Sequence, residues 1–522
     1  MALSEVQPSS TRSLFPRIQQ WLQHPENRLL LLLLLLVFPL YYELGRTPVQ
    51  LYDESRVAVN TTEMLRNGHW LVPHYDGAPD HWNTKPPLLI WLQVLSLKLF
   101  GISAWALRLP TLLASLGTVL LLFRFATRVL RRPWAGVLAG VILVTTTGFV
   151  RLHVARTADY DALLIFWQVL LWVHFFQYLE TGARRHLLWV ALSVLLATLT
   201  KGPAALLGLP GLAVYALGRG KLLWLLRQPG VYLAAVVWLA VMATYFLVRE
   251  PLDPGYWEAV QNNDLGGRFL TTLDNHVHPW DFYLENFRQR FFAPWLWALL
   301  PALVVAGILQ PAGLVKRAAW MLVLFCLSWL GVISSAQSKL EWYDAPIYPA
   351  LALLLGLGLS IAYQDLRELY RPRVGRVAGV LAQVLLIGCV VLLPYYAITT
   401  QLIAERHSDF GLGPDGHLGR YITRLAREQP QVNNVTVLTH GMANSMLLYY
   451  KAEFEQHAGN RLTILNEPGT RTPPLGSVVV TCDPAFKAPL DSAFRMIEVH
   501  QNGSCQTLLL LSRLPSPGVP VP

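Results

Sequence analysis

Several acids and cations in this chain stand at the edges of apolar runs, where charge is costly to bury. Asp53 and Glu54, in "LYDESRVAVN" (51–60), follow a leucine-rich stretch. Asp159 and Asp161, in "ARTADYDALL" (155–164), lead into another. Lys85 stands between Thr84 and two prolines, Lys201 lies in "LTKGP", and Arg268 precedes Phe269. His276 and His278 follow in "DNHVHPWDFYLENF", and "SKLEWYDAPIYPALALL" carries Lys339 and Tyr343. A carboxylate can take the proton of a hydroxyl. Cations can hold and stabilise a departing phosphate. Gathered on one membrane face, such groups suit transfer from a lipid-linked phosphate donor. Blander readings stand beside this one. Asp53 is also a helix N-terminal acid favoured by the macrodipole, Asp161 a helix-capping acid, and Lys85 an interfacial anchor. Spacing alone leaves both sets open.

The elements that must position these residues are membrane helices. Of the 522 residues 53% are hydrophobic and 14% charged, against a usual charged share of roughly 25%. There are 18 Trp, and the mean hydropathy is +0.38. This is the composition of a polytopic membrane protein. The net charge of +10 therefore reflects topology, and no nucleic-acid partner is expected. Apolar runs cover about 29–45, 105–123, 134–151, 162–179, 186–200, 203–218, 230–248, 291–310, 318–334, 344–363 and 377–397. A shorter run at 86–100 opens on two prolines and carries Lys98.

Basic residues arbitrate the topology. They concentrate in the N-terminus and in 124–132, 184–185, 219–227, 316–317 and 365–376. With 86–100 lying in the interface, all six fall on one side of eleven spans, the cytoplasmic side by the positive-inside rule. The segments 46–104, 152–161, 201–202, 249–290, 335–343 and everything after 398 are then outside, with every residue singled out above. Arg156 is placed to neutralise Asp159 or Asp161. Lys201, a cation on the outer side, calls for a phosphate or carboxylate partner.

The division expected is a cytoplasmic N-terminus (1–28), a membrane domain (29–398) with outer loops 46–104 and 249–290, an α/β domain (399–513) and a disordered Pro-rich tail (514–522). In the α/β domain "VTVLT", "LTIL" and "SVVVTC" are β-branched runs. A helical stretch at 441–457 separates the first two, and apolar stretches follow near 494–499 and 505–512. Cys482 and Cys505 lie in this domain, where an oxidising compartment would allow a disulfide. The His276–His278 pair lacks a third ligand, so no metal residue is assigned. No cofactor is called for, and a divalent metal is left open.

Five motifs, in order, carry a likeness to a known family. They are the stretch from "YDESRVAVN" to "ISAWALRLP", then "ARTADYDALL", "LTKGP", "GRFLTTLDNHVHPWDFYLENF" and "SKLEWYDAPIYPALALL". This chain resembles the GT-C class of bacterial membrane glycosyltransferases, relatives of the aminoarabinose–lipid A transferase and the protein O-mannosyltransferases. The resemblance covers roughly residues 28–400. It implies a GT-C helical bundle of about 11–13 spans with a small periplasmic α/β domain. It also implies inverting transfer of a hexose or pentose from a polyprenyl-phosphate donor to a lipid A-like, glycan or protein acceptor. The work would be done at the periplasmic face of the bacterial inner membrane. Asp53 and Asp161 match catalytic acids, Lys85, Lys201 and Arg268 donor-phosphate contacts, and Glu54, His276, Lys339 and Tyr343 further site positions. Asn83-Thr84 departs from the family pattern, which commonly has an acid or aromatic before the lysine.

The rival reading is a polytopic transporter or flippase for a lipid-linked sugar. Such proteins place ionisable groups near mid-membrane. Here the polar residues sit on one face.

Overall fold

The computed structural model describes residues 20–514, apart from 51, 152, 267–276, 289–291, 293–294, 371–387, 408–412, 430, 440–444, 467–472, 474 and 503–504. Arg268, His276, the tail from 515 and most of the N-terminal segment thus lie outside the described residues.

The apolar runs fold as helices because a membrane offers backbone groups no other partner. In chain order the helices begin with α1 (Pro25–Tyr41), the polar-faced α2 (Asp53–Asn67), α3 (Leu88–Phe100), α4 (Ala104–Arg124) and α5 (Pro133–Val144). Next come α6 (Tyr160–Thr181), α7 (Arg184–Lys201), α8 (Leu209–Gly218), α9 (Pro229–Leu252) and α10 (Leu296–Leu303). Then follow α11 (Leu314–Ser335), α12 (Tyr348–Tyr370) and α13 (Leu393–His407). Among the described residues six helical stretches are long and apolar enough to cross a membrane, built on α4, α6, α7, α9, α11 and α12. The chain is a multi-pass membrane protein. Other apolar runs give shorter helices. The run at 134–151 breaks where Thr145 and Thr146 turn their hydroxyls back onto the carbonyls of Val141 and Ile142, a local bond that competes with helix continuation. With 13 residues, α3 is about 20 Å long, well short of a hydrocarbon core of roughly 30 Å.

One core runs through α5, α6, α11 and α12. Where α12 meets α5, a Cβ on Gly356 would stand 2.4 Å from the Ala135 carbonyl. Only glycine permits that approach. The basic connections gather at one end of the bundle. Glu180, near the end of α6, pairs with Arg219 at 3.4 Å and Arg317 at 2.9 Å, and Arg132 donates to Gln364 at 2.5 Å. Asp159 and Asp161 sit at the other end of α6, roughly 30 Å away.

The C-terminal region adds α14 (Gly413–Glu428), α15 (Ser445–Glu455) and a five-stranded sheet. Its strands are β3 (Asn434–Thr439), β4 (Arg461–Asn466), β5 (Val478–Thr481), β6 (Phe494–Asn502) and β7 (Cys505–Arg513), in the order β4-β3-β5-β7-β6. The β-branched runs form β3, β4 and β5, which pair in parallel, while β7 runs antiparallel to β5 and β6. A disulfide joins Cys482 to Cys505. A two-stranded hairpin, β1 (His74–Tyr75) and β2 (Ala78–Pro79), lies between α2 and α3.

This domain is fastened to the first outer loop. Met446, Tyr449 and Tyr450 of α15 pack with Val49, Ala58, Leu97 and Ile102. Tyr450 Oη accepts the Val49 N–H at 3.1 Å, and Gln456 exchanges two bonds of 2.8 Å with the Ile102 backbone.

Candidate active site

A cavity of about 210 Å³ opens where α2, α6, α7 and the segment before α12 meet. Asp53, Lys85, Asp159, Asp161, Lys201 and Tyr343 line it. Asp53 is the first residue of α2, and its side chain is 42% exposed. Starting the helix and lining the cavity are thus compatible for Asp53. Lys201 closes α7 and donates to both Asp161 oxygens at 2.6 Å. Its ammonium also lies 5.7 Å from the Tyr343 ring centre. The carboxylate partner expected for Lys201 is Asp161. The N-cap of α6 is Asp159, whose side chain accepts from the Tyr160 N–H at 2.6 Å, and Asp161 lies within the first turn. The expected Arg156 partnership takes another form. Arg156 donates to the Pro39 and Tyr42 carbonyls, and Asp161 is met by Lys201.

Asp159 is met by His153, a residue without a sequence signal. The two form a short hydrogen bond, and the same imidazole nitrogen lies 3.7 Å from Asp53. The His153 ring stacks on Trp342 at 3.6 Å. Burial disfavours charge on His153, but Asp159, and behind it Asp53 and Asp161, outweigh burial and raise its pKa above the usual imidazole value. Burial likewise opposes the Asp159 carboxylate, yet His153 and Lys201 bring its pKa down to about 2. The ligand atoms of Asp53, His153 and Asp159 fall within 4.8 Å of one another, a donor set a divalent cation could use. His153 Nδ1 already meets Asp159 in a hydrogen bond, which a cation on these atoms would have to replace.

Lys85 is half-buried, with its ammonium 5.3 Å from the Tyr160 ring centre. Among the described residues it has no ion-pair partner. The loop before it is tightly held. Arg56 of α2 forks onto Asp80 at 2.6–3.2 Å, and Asp80 also accepts from Asn60. Burial works against the Asp80 carboxylate, but Arg56 outweighs it and lowers the pKa. Asn83 donates to Asn60 and to Tyr160 Oη, Thr84 donates to Asp264 at 2.5 Å, and Tyr256 Oη donates to the Thr84 carbonyl. Asn83 and Thr84, which depart from the family pattern, are thus the residues that tie the Lys85 loop to α6 and to the 256–265 segment.

Two candidates turn away from the cavity. Glu54 is buried against Arg108, which donates to both its oxygens at 2.6 and 2.8 Å. Lys339 is buried and donates to the carbonyls of His278 and Ala336, while its neighbours Ser338 and Leu340 line the cavity. Arg268 and His276 lie outside the described residues.

Comparisons with known proteins bear on this geometry. Residues 84–247 match the family model for dolichyl-phosphate-mannose-protein mannosyltransferase. The undecaprenyl phosphate-alpha-4-amino-4-deoxy-L-arabinose arabinosyl transferase 1 of Pseudomonas fluorescens is 30% identical over 343 residues, 62% of this chain and 58% of its own length. Its counterpart in Pseudomonas aeruginosa (strain UCBPP-PA14) is 30% identical over 348 residues, 63% of this chain and 59% of its own. The chain thus spans less than two thirds of the curated relatives it matches. Among solved structures, ArnT from Cupriavidus metallidurans bound to undecaprenyl phosphate superposes with a TM-score of 0.66 at 18% identity, covering 92% of this chain and 97% of that one. The Archaeoglobus fulgidus oligosaccharyltransferase tethered to an acceptor peptide superposes with a TM-score of 0.52 at 14% identity, covering 86% and 64%.

Proposed function

Because this chain is by fold a member of the GT-C glycosyltransferase superfamily, we propose that it moves a sugar from a polyprenyl-phosphate donor to a lipid A-like, glycan or protein acceptor. Transfer takes place at the periplasmic face of a bacterial inner membrane and inverts the anomeric centre. Residues 1–28 then face the cytoplasm and 399–513 form a periplasmic domain. One observation carries the reading: a half-exposed carboxylate and two lysines line one cavity at the helix ends opposite the basic connections.

Asp53 accepts the proton of the acceptor hydroxyl as that oxygen bonds to the anomeric carbon. The bond from this carbon to the phosphate oxygen breaks, and the phosphate leaves with the electron pair. Lys85 meets the new charge directly. Lys201 has three ammonium protons for two Asp161 oxygens, so one remains for the phosphate. Asp161 acts by holding Lys201. Arg268 is assigned as a third cation. His153 orients Asp53, and Tyr343 walls the site beside Lys201. The names of the curated relatives make a pentose on undecaprenyl phosphate the first donor to try.

The test is sugar transfer by the purified protein with that donor and with lipid A, glycan and peptide acceptors. Asp53→Asn should lower the rate by about 10²–10⁴-fold, the usual share of a general base, while unfolding stays near wild type. Wild-type transfer in that variant would remove Asp53 from the role. Translocation of the donor with no sugar transferred by the wild type would favour the flippase.

A further inference from the structure

A second and larger cavity, of about 460 Å³, lies on another side of the first outer loop. Its floor is formed by the ends of apolar elements. These are residues 43–48 just beyond α1, Ala104 at the start of α4, Arg156 before α6 and Leu402 on α13. Its roof is the C-terminal domain, through α14 and α15. With the membrane around the apolar helices, a space bounded by helix ends below and a polar domain above would stand at headgroup depth. Tyr41, Tyr396 and Ile403 are exposed on α1 and α13, giving an apolar flank below it.

Five arginines line this cavity: Arg46, Arg156, Arg420, Arg424 and Arg427. The last three recur at i, i+4 and i+7 along α14, which puts them on one helix face. Among the described residues three carboxylates, Glu43, Glu428 and Glu453, share the lining with these five arginines. Glu43 and Glu428 lie 3.3 and 3.9 Å from Arg46 and Arg424. Burial raises the pKa of Glu453 to about 7, against the opposing pull of Thr423 and Arg427. Near neutrality it therefore offsets only part of one arginine. Guanidinium forks match phosphate oxygens in geometry as well as charge.

We propose that this cavity binds the phosphate headgroup of an anionic membrane lipid, at a site separate from the one lined by Asp53 and Lys85. The two are partitioned by Arg108, which donates to the Leu44, Thr47 and Pro48 carbonyls on one side and to Glu54 on the other. The proposal does not depend on the transfer reaction.

The test uses the full chain in neutral detergent, with thermal unfolding followed as lipid is added. Phosphatidylglycerol should raise the midpoint, and phosphatidylcholine and inorganic phosphate at matched ionic strength should not. Arg424 and Arg427 are exposed, so the double variant Arg424→Gln/Arg427→Gln is expected to fold. Its apparent affinity for phosphatidylglycerol should fall roughly thirtyfold, at about one arginine's attraction each. Lys85→Ala should keep the full shift. Native mass spectrometry of retained phosphatidylglycerol gives a second readout of the same loss. Equal shifts with both phospholipids, or a full shift in the double variant, would overturn the site. Equal protection by inorganic phosphate would overturn its assignment to a lipid.

Discussion

Two buried ion pairs flank the start of α2, and they are built differently. Arg108 and Glu54 leave nothing over. The guanidinium donates to both Glu54 oxygens and to three carbonyls, and Glu54 also accepts from the Gln50 and Ala158 N–H groups. Asp161 and Lys201 are equally close, yet they face a cavity, and the ammonium keeps a proton to spare. Burial and charge look alike in the two places. Saturation separates them: a pair whose bonds are all made holds the fold, and one with capacity left beside a cavity is available to a ligand. Sequence position would have misled, because Glu54 adjoins the proposed base and Arg108 lies in an apolar run.

The largest effect should come from breaking the saturated pair. Arg108→Ala strands a buried carboxylate and frees the 44–48 segment, at a cost of about 3–5 kcal/mol in folding. Thermal unfolding in detergent reads it, and a normally folded but inactive variant would erase the distinction. Lys201→Ala should lose transfer and a smaller part of stability. Asp161→Asn/Lys201→Met should recover the stability, because replacing both partners is tolerated, but not the transfer. Recovery of both would make that pair structural too. Lys85→Ala removes a cation with no ion-pair partner among the described residues. Apparent donor affinity should fall roughly tenfold, the loss of one charge-assisted bond of about 1.5 kcal/mol. Its unfolding should stay within about 0.5 kcal/mol of wild type, and an unchanged donor affinity would take Lys85 out of the site.

The smallest effect is in the pH response of His153 and Asp159. The raised His153 pKa gives stability that is complete below the ordinary imidazole value of 6.5 and is lost as pH rises through the folded value. The lowered Asp159 pKa gives stability present above 3.8 and lost as pH falls through about 2. The pair therefore stabilises most between about pH 4 and about pH 6.5. Unfolding of wild type and His153→Ala should converge as pH rises above the ordinary imidazole value and through the folded one. A constant gap would mean that the ring contributes through stacking on Trp342 alone.

The helices were legible because apolar runs and basic connectors survive as one-dimensional patterns. The separation of basic connectors from acids was legible too: Glu180 joins two of the connectors, with Asp159 and Asp161 at the far end of its helix. The strands were legible from their β-branched runs. His153 was not. It sits in an irregular segment at φ +58°, where no periodicity predicts a direction. Arg108 was hidden by the hydrophobicity around it. The arginine face of α14 has helical spacing, but a region read chiefly for its strands gave no reason to look for it.

Arg108 also acts as a ruler. It grips Leu44, Thr47 and Pro48 on one side and Glu54 on the other, fixing how much chain separates the first apolar helix from α2. Neighbouring helix residues point about 100° apart. One residue gained between positions 48 and 53 would bring Asp53 to the guanidinium and Tyr52 to the cavity, and one lost would bring Glu54 to the cavity and Ser55 to the guanidinium. Asp53 and Glu54 would remain adjacent acids in any alignment, yet only one spacing puts each against its own partner. In this stretch a single-residue insertion is expected to be worse tolerated than most substitutions.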